Sequence, residues 1–574
     1  MDLLKISDIA KAVLDERYYL EGEDWDKLSL RVATYIADDN QEQEAFYEMI
    51  GSGDFIPNSP CLMNAGARTK QMAACFLFEI DDTMDSIMDV AKQSAMVYKS
   101  GGGVGFYLGN LRPAGDRVGT TGGVASGPVS FLRIYDTVSD VIKQGGLRRS
   151  ANMGLLDVSH PDIFGFLEAK SDLTRFSNFN LSVSITDEFM NAALNGLDFD
   201  LRYKGRVYKT IKAADLFAKI CHNAWAVAEP GVVFIDEINR HNMTPWLGRL
   251  KGVNACAEAP LYHGESCVLG SINLANFITV DRQIDYEGLK TVAENAVKFL
   301  DNLITKNVYP SDEITTNTLK TRKIGIGVMG LADAFYMLGI PYNSPEALTL
   351  THSFMGWINT AAQAYSFHLG QKLGFFPSCC GDNMRFLRRN AVVTTVAPTG
   401  SISILANVSS GIEPNFSLAY ERNILGKKFI HINSVFENFC NYVGLDPHDY
   451  LDAIFTTGSL KDTNIPKPFK DTFVTAREID WQTHVAIQAA AQKHVENAIS
   501  KTINMPEDAT VEDVSAAIVS AYQLKCKGIT VYRDNCRANQ PMSVPKCDTC
   551  GSPLVMEEGC MKCPKCLVSK CSLG

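Results

Sequence analysis

The sequence predicts an α/β fold, with a short helical segment ahead of it and a cysteine-rich tail behind. Three observations predict this. From Phe55 onward, short apolar runs alternate with stretches of helical spacing, the order that builds sheets flanked by helices. Before it, DIAKAVLDERYY and the run from Asp26 to Ile50 carry apolar residues at helical spacing with few breakers. Past the linker-like 541-PMSVP-545 stand Cys547, Cys550, Cys560, Cys563, Cys566 and Cys571. The chain therefore divides into a helical segment at 1–54, an α/β body at 55–540 and a tail at 541–574.

Within the body, 75-CFLFEI-80 reads as a strand. A helix follows, from an Asp82 or Thr83 N-cap through Lys99, stopped by 101-GGG-103. NLSVSIT at 180–186, GVVFID at 231–236 and AVVTTVAP at 391–398 are further strand-like runs. Two glycine-rich polar loops interrupt the alternation, 115-GDRVGTTGGVASGP-128 and 145-GGLRRSANMG-154.

Composition limits the function classes. A chain of 574 residues can bury a large core, as about three or four ordinary domains or one large α/β barrel. Hydrophobic content of 46% and charged content of 21% describe a soluble globular protein. A net charge of −11 argues against a nucleic-acid partner. Acidic residues interrupt every apolar run of MDLLKISDIAKAVLDERYYL, which excludes a signal peptide. The longest apolar candidate for a membrane span, 391–408, is broken by Pro398 and Gly400, so no membrane partner is expected. With 16 cysteines and no export signal, the thiols are expected to be reduced, in the cytoplasm, for metal or redox work. The ten histidines show no H-E-x-x-H spacing.

In the tail, Cys547-x-x-Cys550 and Cys563-x-x-Cys566 form a zinc-ribbon pattern, two knuckles offering four thiolates to a tetrahedral Zn2+. So short a segment has little core, and metal binding supplies most of its folding energy. Cys560-x-x-Cys563 has the same spacing; Pro564 inside the later pair favours Cys563 with Cys566. Cys560 and Cys571 are then left over, either as idle surface thiols or as a mobile dithiol that carries electrons.

The stretch 254-NACAEAPLYHGESC-267 sets Asn254, Cys256 and Glu258 at alternate positions. In extended chain all three face one space while Ala255, Ala257 and Ala259 turn away. A half-buried strand with polar residues outward has the same pattern. In 397-APTGSISILANVSSGIEPNF-416, Thr399, Gly400, Ser401 and Ser403 place hydroxyls and backbone N–H groups at a helix start, where a phosphate is well held, although Pro-Thr-Gly-Ser is also a common turn. There is no G-x-x-x-x-G-K-[ST], and GGGVGF has the wrong spacing for a dinucleotide site, which disfavours kinases and nicotinamide dehydrogenases. Arg112, Arg148 and Arg149 sit in or beside the glycine-rich loops, as solvated cations or as ligands of a nucleotide phosphate.

N-A-C-A-E with a Cys eleven residues on, the upstream Cys of 71-QMAACFLFEIDDTMDSI-87 and PTGSIS…GIEP together resemble the catalytic chain of ribonucleotide reductase. Further matching stretches are 59-SPCLMNAG-66, 300-LDNLITKNVYP-310 and 324-IGIGVMGLADAF-335, and the resemblance runs from Phe55 to Arg537 in consistent order. It implies a ten-stranded α/β barrel of two five-stranded halves, with the Asn254 rib as a finger loop through the centre. It implies reduction of ribonucleotides to 2′-deoxyribonucleotides. Cys256 then becomes the thiyl radical that takes the 3′-hydrogen, Glu258 accepts the 3′-OH proton and Asn254 holds the sugar. Cys75 and Cys267 meet across the barrel and form a disulfide as they reduce the substrate. Ser59, Ala74 and the loop Thr399, Gly400, Ser401 bind substrate; Ala74 stands where subunit-dependent relatives commonly have Ser. Cys560 and Cys571 reduce the Cys75–Cys267 pair and are recharged by thioredoxin. Asp82, Arg112 and the loop 117–127 match an effector site for a deoxynucleoside triphosphate at a homodimer interface, and 147-LRRSANM-153, with Arg148, matches the loop that relays the signal.

The family makes its radical in three ways. A glycyl-radical motif is not seen in 526-CKGITVYRDNCR-537, and where subunit-dependent relatives have adjacent tyrosines this chain has Val531-Tyr532. CKGITVYRD and the cysteine-rich tail are similar to the adenosylcobalamin-dependent version. That version is expected to lack a D-x-H-x-x-G motif; Asp446-Pro-His448 begins like one, but Leu451 stands at the Gly position. The substrates are expected to be diphosphates. Residues 1–54 are too few for an ATP cone, so no on/off control by dATP is expected. Two alternatives are a large subunit that needs a separate radical-generating partner and a catalytically silent zinc-binding barrel; the intact set of five residues argues against the second.

Overall fold

The computed structural model describes residues 2–119, 122–142, 151–172, 174–379, 387–424 and 427–537, and three short tail strands. Arg148, Arg149, Cys380, Cys547, Cys550, Cys563 and Cys566 lie outside the described residues.

Three helices open the chain, Asp8–Arg17, Trp25–Ile36 and Asn40–Gly51. Each starts at a side-chain cap that satisfies a backbone N–H: Ser7 for Ala10, Asp24 for Lys27 and Asp39 for Glu42. The run from Asp26 to Ile50 falls into the second and third of these helices. Asp39 takes extended dihedrals to cap the next helix, and this breaks the run. Leu28, Val32, Ile36, Phe46 and Ile50 are buried, and Phe46 meets the Phe299 ring edge-on at 5.2 Å.

Five parallel strands form the first half of the main sheet: Cys75–Glu79, Gly103–Tyr107, Asn152–Asp157, Phe179–Ile185 and Gly231–Phe234. The second half contains Ser266–Asn273 beside Ile324–Met329, and Thr502–Met505 beside Gly528–Arg533, again parallel. Single bridges Ile326↔Thr394 and Val396↔Ile499 link these two pairs through the 394–396 segment. Antiparallel pairings join the halves, Cys267↔Cys75 on one side and Gly528↔Val233 on the other. The antiparallel pairings thus join the two halves into one mixed sheet. The strand expected over 391–398 is reduced to those two bridges. Thr394 Oγ1 accepts from the Glu496 backbone and Thr395 Oγ1 from Asn497 Nδ2, side-chain bonds that compete with a regular ladder.

Strand alternation sorts the side chains. Phe76 and Phe78 face outward into the main core with the helices, whereas Cys75 and Leu77 join Ala259, Leu261, Cys267 and Leu269 in a small inner cluster. A hairpin of Gly252–Val253 with Pro260–Leu261 reaches this cluster. A second core, around Phe436, Phe455 and Phe473, lies under the helices between Ser434 and Thr472. Among the described residues no helix is long and apolar enough to cross a membrane.

Candidate active site

Cys75 begins its strand and Cys267 is the second residue of another, and register sets them directly opposite. Directly opposite antiparallel residues have Cα atoms roughly 4.5–5.5 Å apart, within the Cα range that a disulfide spans. Both are reduced thiols here, and burial pushes each thiol up from its ordinary range.

The expectation of an extended rib at 254–258 is corrected by the hairpin tip. Ala257 N–H donates to Asn254 O at 3.1 Å, and Ala257 takes the left-handed φ of 65°. Asn254 N–H donates to Ala259 O at 3.1 Å, and Ala259 N–H donates to Asn254 Oδ1 at 2.9 Å. The chain must reverse between two paired strands, and an extended segment cannot do that. Asn254, Cys256 and Glu258 nevertheless converge, because the turn aims them at one cavity. Ala255 lines that cavity too, while Ala259 turns to the inner cluster.

The cavity holds about 290 Å3. Ser59, Ala74, Cys75, Asn254, Cys256, Glu258, Thr399, Gly400 and Ser401 all line it, so one space gathers nine of the ten residues expected for catalysis and substrate. Cys267, the tenth, sits behind Cys75 with no exposure. Asn254 Nδ2 donates to Cys75 Sγ at 2.9 Å, and Cys75 Sγ approaches Glu258 Oε1 at 3.8 Å. Glu258 Oε2 is buried with no hydrogen-bond partner among the described residues. Burial pushes its carboxyl up to about 7. On the far wall Ser59 starts the helix Ser59–Asn64 and shares a 2.8 Å hydrogen bond with Tyr18. Thr399, at φ 52°, accepts from Gly411 N–H at 2.8 Å, which folds the 399–401 loop over the short helix Ile402–Ala406.

A family model described as ribonucleotide reductase, barrel domain, matches residues 73–387 and 384–532, and one described as ribonucleotide reductase, all-alpha domain, matches residues 4–70. The chain belongs to the ribonucleotide reductase family. A Mycobacterium tuberculosis protein named vitamin B12-dependent ribonucleoside-diphosphate reductase is 43% identical over 567 residues, covering 94% of this chain and 81% of that protein. A Thermoplasma acidophilum protein of the same name is 44% identical over 512 residues, which is 88% of this chain and 66% of that protein, just under two thirds of its length. The solved alpha subunit of Actinobacillus ureae class Id ribonucleotide reductase shares the fold, with a TM-score of 0.79 at 22% identity over 93% of this chain and 99% of that one.

In this reductase chain the expected effector residues also meet. Arg112 Nε lies 2.7 Å from Asp82 Oδ2, its backbone N–H donates to Asp82 Oδ1 at 3.1 Å, and its Nη1 donates to Arg117 O at 3.2 Å. The helix Met84–Lys99 starts beside them from the Thr83 cap, one of the two caps foreseen. Arg148 lies outside the described residues. In the tail, backbone register sets Cys560 opposite Cys571 on the strands Cys560–Lys562 and Ser569–Cys571.

Sequence reasoning missed three contributors. A Cβ on Gly105 would stand 1.9 Å from Val253 O, so only glycine lets the hairpin stem lie on this strand. GGGVGF carried that signal but was weighed only as a dinucleotide motif. Tyr18 comes from the helical segment to hold Ser59. Lys323 and Glu265 form a buried ion pair near Cys267 that no motif marks.

Proposed function

We propose that the chain is an adenosylcobalamin-dependent ribonucleotide reductase that converts ribonucleoside diphosphates to 2′-deoxyribonucleoside diphosphates. The observation that carries this reading is the convergence of a half-exposed thiol, a neutralisable carboxyl, an amide and a buried cysteine pair on one cavity with a hydroxyl-rich loop on its wall. The names of the 43–44% identical relatives support the cofactor and the diphosphate substrate.

Cys256 is the one site thiol that is not buried, and small residues, Ala74, Gly102, Gly103, Ala151 and Ala255, line the cavity beside it. That fits the approach of a large planar cofactor to its sulfur. Bound adenosylcobalamin supplies a carbon radical able to take the thiol hydrogen. The Cys256 thiyl takes the 3′-hydrogen of the ribose, and Glu258, which lines the cavity and whose buried Oε2 has no hydrogen-bond partner among the described residues, accepts the 3′-OH proton. Asn254 orients the sugar. The 2′-OH leaves as water; Cys75 and Cys267 supply two electrons and two protons and join as a disulfide. Cys256 returns its hydrogen to C3′. Ser59 and the Thr399–Ser401 loop hold the phosphates.

Four tail thiols in two Cys-x-x-Cys pairs, with short antiparallel strands between and after them, fit a zinc ribbon. Cys560 and Cys571, opposite in backbone register, then carry electrons from a thioredoxin-type reductant to the inner pair. Exposed Met84, Met88 and Met96 on one helix and Val141 on the helix Pro128–Val141 support a homodimer, with a deoxynucleoside triphosphate at Asp82, Arg112 and Arg148. A cytoplasmic location goes with this thiol chemistry, since that compartment keeps thiols reduced.

The test is product formation by the purified chain, anaerobic, with a small dithiol, with and without adenosylcobalamin. Product only with the cofactor, and none from Cys256→Ser, is the expected result. No product under either condition from folded protein would overturn the cobalamin assignment in favour of a separate radical-generating subunit.

A further inference from the structure

The cysteine pair is asymmetric. Cys75 is 7% exposed and lines the cavity, whereas Cys267 has no exposure and lies behind it. Beside Cys267 stands an ion pair that the steps above leave unused. Lys323 Nζ lies 2.7 Å from Glu265 Oε2, with the two side chains 3% and 2% exposed. Register sets the placement. Val268 is paired with Ile324 on parallel strands, so Lys323 borders Cys267, while Glu265 precedes Cys267 by two residues and shares its face. Glu265 also accepts from Tyr262 N–H at 2.7 Å and from the Thr321 hydroxyl at 2.5 Å, and Lys323 Nζ stands 4.6 Å from the Tyr262 ring centroid. A buried ion pair adds little net stability over apolar residues of the same shape, so stability alone does not account for it.

We propose that Lys323 is an electrostatic positioning residue for re-reduction of the Cys75–Cys267 disulfide, its ammonium stabilising the Cys267 sulfur as the departing thiolate. This rests on reading the pair as the redox couple of the proposed function. A thiolate of an external dithiol attacks Cys75 Sγ, the sulfur that faces the cavity. The S–S bond breaks, its electron pair goes to Cys267 Sγ, and that sulfur takes up the proton the dithiol gave up. The second thiol of the dithiol then attacks its own sulfur in the mixed disulfide, freeing Cys75 as a thiol and leaving the dithiol oxidised. Burial, which disfavours thiolate on Cys267, makes it a poor leaving group; the Lys323 charge opposes burial, while Glu258 and Glu265 add to it. Among the described residues Cys75 and Tyr309 are further titratable groups that face Cys267. A neighbouring opposite charge favours the thiolate, and a less basic sulfur leaves faster.

The test uses the full chain oxidised at this pair, without nucleotide or cobalamin. Its re-reduction by dithiothreitol is followed by alkylation and peptide mapping of Cys75 and Cys267. Lys323→Met is expected to slow it roughly tenfold, and the double variant Lys323→Met with Glu265→Gln by a smaller factor of roughly threefold to fivefold, because it also loses the carboxylate that opposes Lys323. Lys323→Arg keeps the rate within about threefold, and Glu265→Gln re-reduces at least as fast as the unaltered chain. The double variant leaves no lone buried carboxylate, so it separates charge from misfolding. A double variant at the unaltered rate, or Lys323→Arg as slow as Lys323→Met, would overturn the proposal. Failure of the proposed function would show elsewhere, as absence of product in the cobalamin assay.

Discussion

Asn254 Nδ2 donates to Cys75 Sγ at 2.9 Å, tying the hairpin tip to the strand that carries the inner cysteine pair. The same side chain accepts from Ala259 N–H through Oδ1, so it also closes its own turn.

Asn254→Ala therefore leaves a buried N–H without its acceptor, at a cost of about 1–3 kcal/mol. Asn254→Asp, melted at about pH 4 where burial keeps the new carboxyl protonated, keeps the acceptor for Ala259 and loses the amide donor to Cys75. Thermal unfolding should rank the unaltered chain above Asn254→Asp, and that above Asn254→Ala. The reverse order of the two variants would contradict this account of the turn.

Glu258 titrates where function needs it. Its carboxyl is raised from 4.5 to about 7 by burial. The folded chain keeps a proton that the unfolded chain gives up between those values, so stability falls as pH rises through that window and levels off above it. Glu258→Gln removes the fall and should be the more stable chain above pH 7, by roughly 2–4 kcal/mol. Turnover should move the opposite way. It rises with pH through an apparent pKa near 7, and Glu258→Gln loses that limb together with about 10²–10⁴ in rate. Denaturant titrations at pH 5 and 8 and a pH–rate profile check both.

Gly105→Ala places a methyl 1.9 Å from Val253 O, a backbone atom that cannot swing aside. Overpacking of this kind costs about 1–3 kcal/mol, and the displaced hairpin carries Cys256 with it. Loss of product alongside a lowered unfolding temperature is the expected pair of results; full activity would show that the hairpin has another support.

Arg112→Ala breaks the clamp between Asp82 and the Arg117 carbonyl. Binding of a deoxynucleoside triphosphate should weaken by about tenfold or more, the scale of a lost charge-assisted contact. Calorimetry on the purified chain reads this directly.

Metal analysis of the reduced chain should find about one zinc per chain, and Cys547→Ser should lose it. Turnover driven by a thioredoxin-type reductant should then fail, while turnover driven by a small dithiol, which reaches Cys75 without the tail, continues.

The residues of the site were legible for a chemical reason. A thiol, a carboxyl and an amide within five positions, a second thiol further on and a hydroxyl-rich loop are types that an ordinary core does not need together. Their conformation was not legible. Alternation at 254–258 suits a strand as well as a turn, and the reversal was decided by pairing of Gly252–Val253 with Pro260–Leu261. The strand read over 391–398 shows the same limit, because its threonines spend their hydroxyls on Glu496 and Asn497, far along the chain.

What the sequence by itself determined is the α/β order, the helix cap at Thr83 and the roll of reactive groups, since these depend on spacing and on side-chain chemistry within one turn or strand. Only the tertiary structure decided that Cys75 meets Glu258, 183 residues away, that Cys267 lies behind rather than beside the cavity, and that Lys323 borders it. Strand register and burial arise from the assembly of the sheet, and no local pattern encodes which strand will lie next to which.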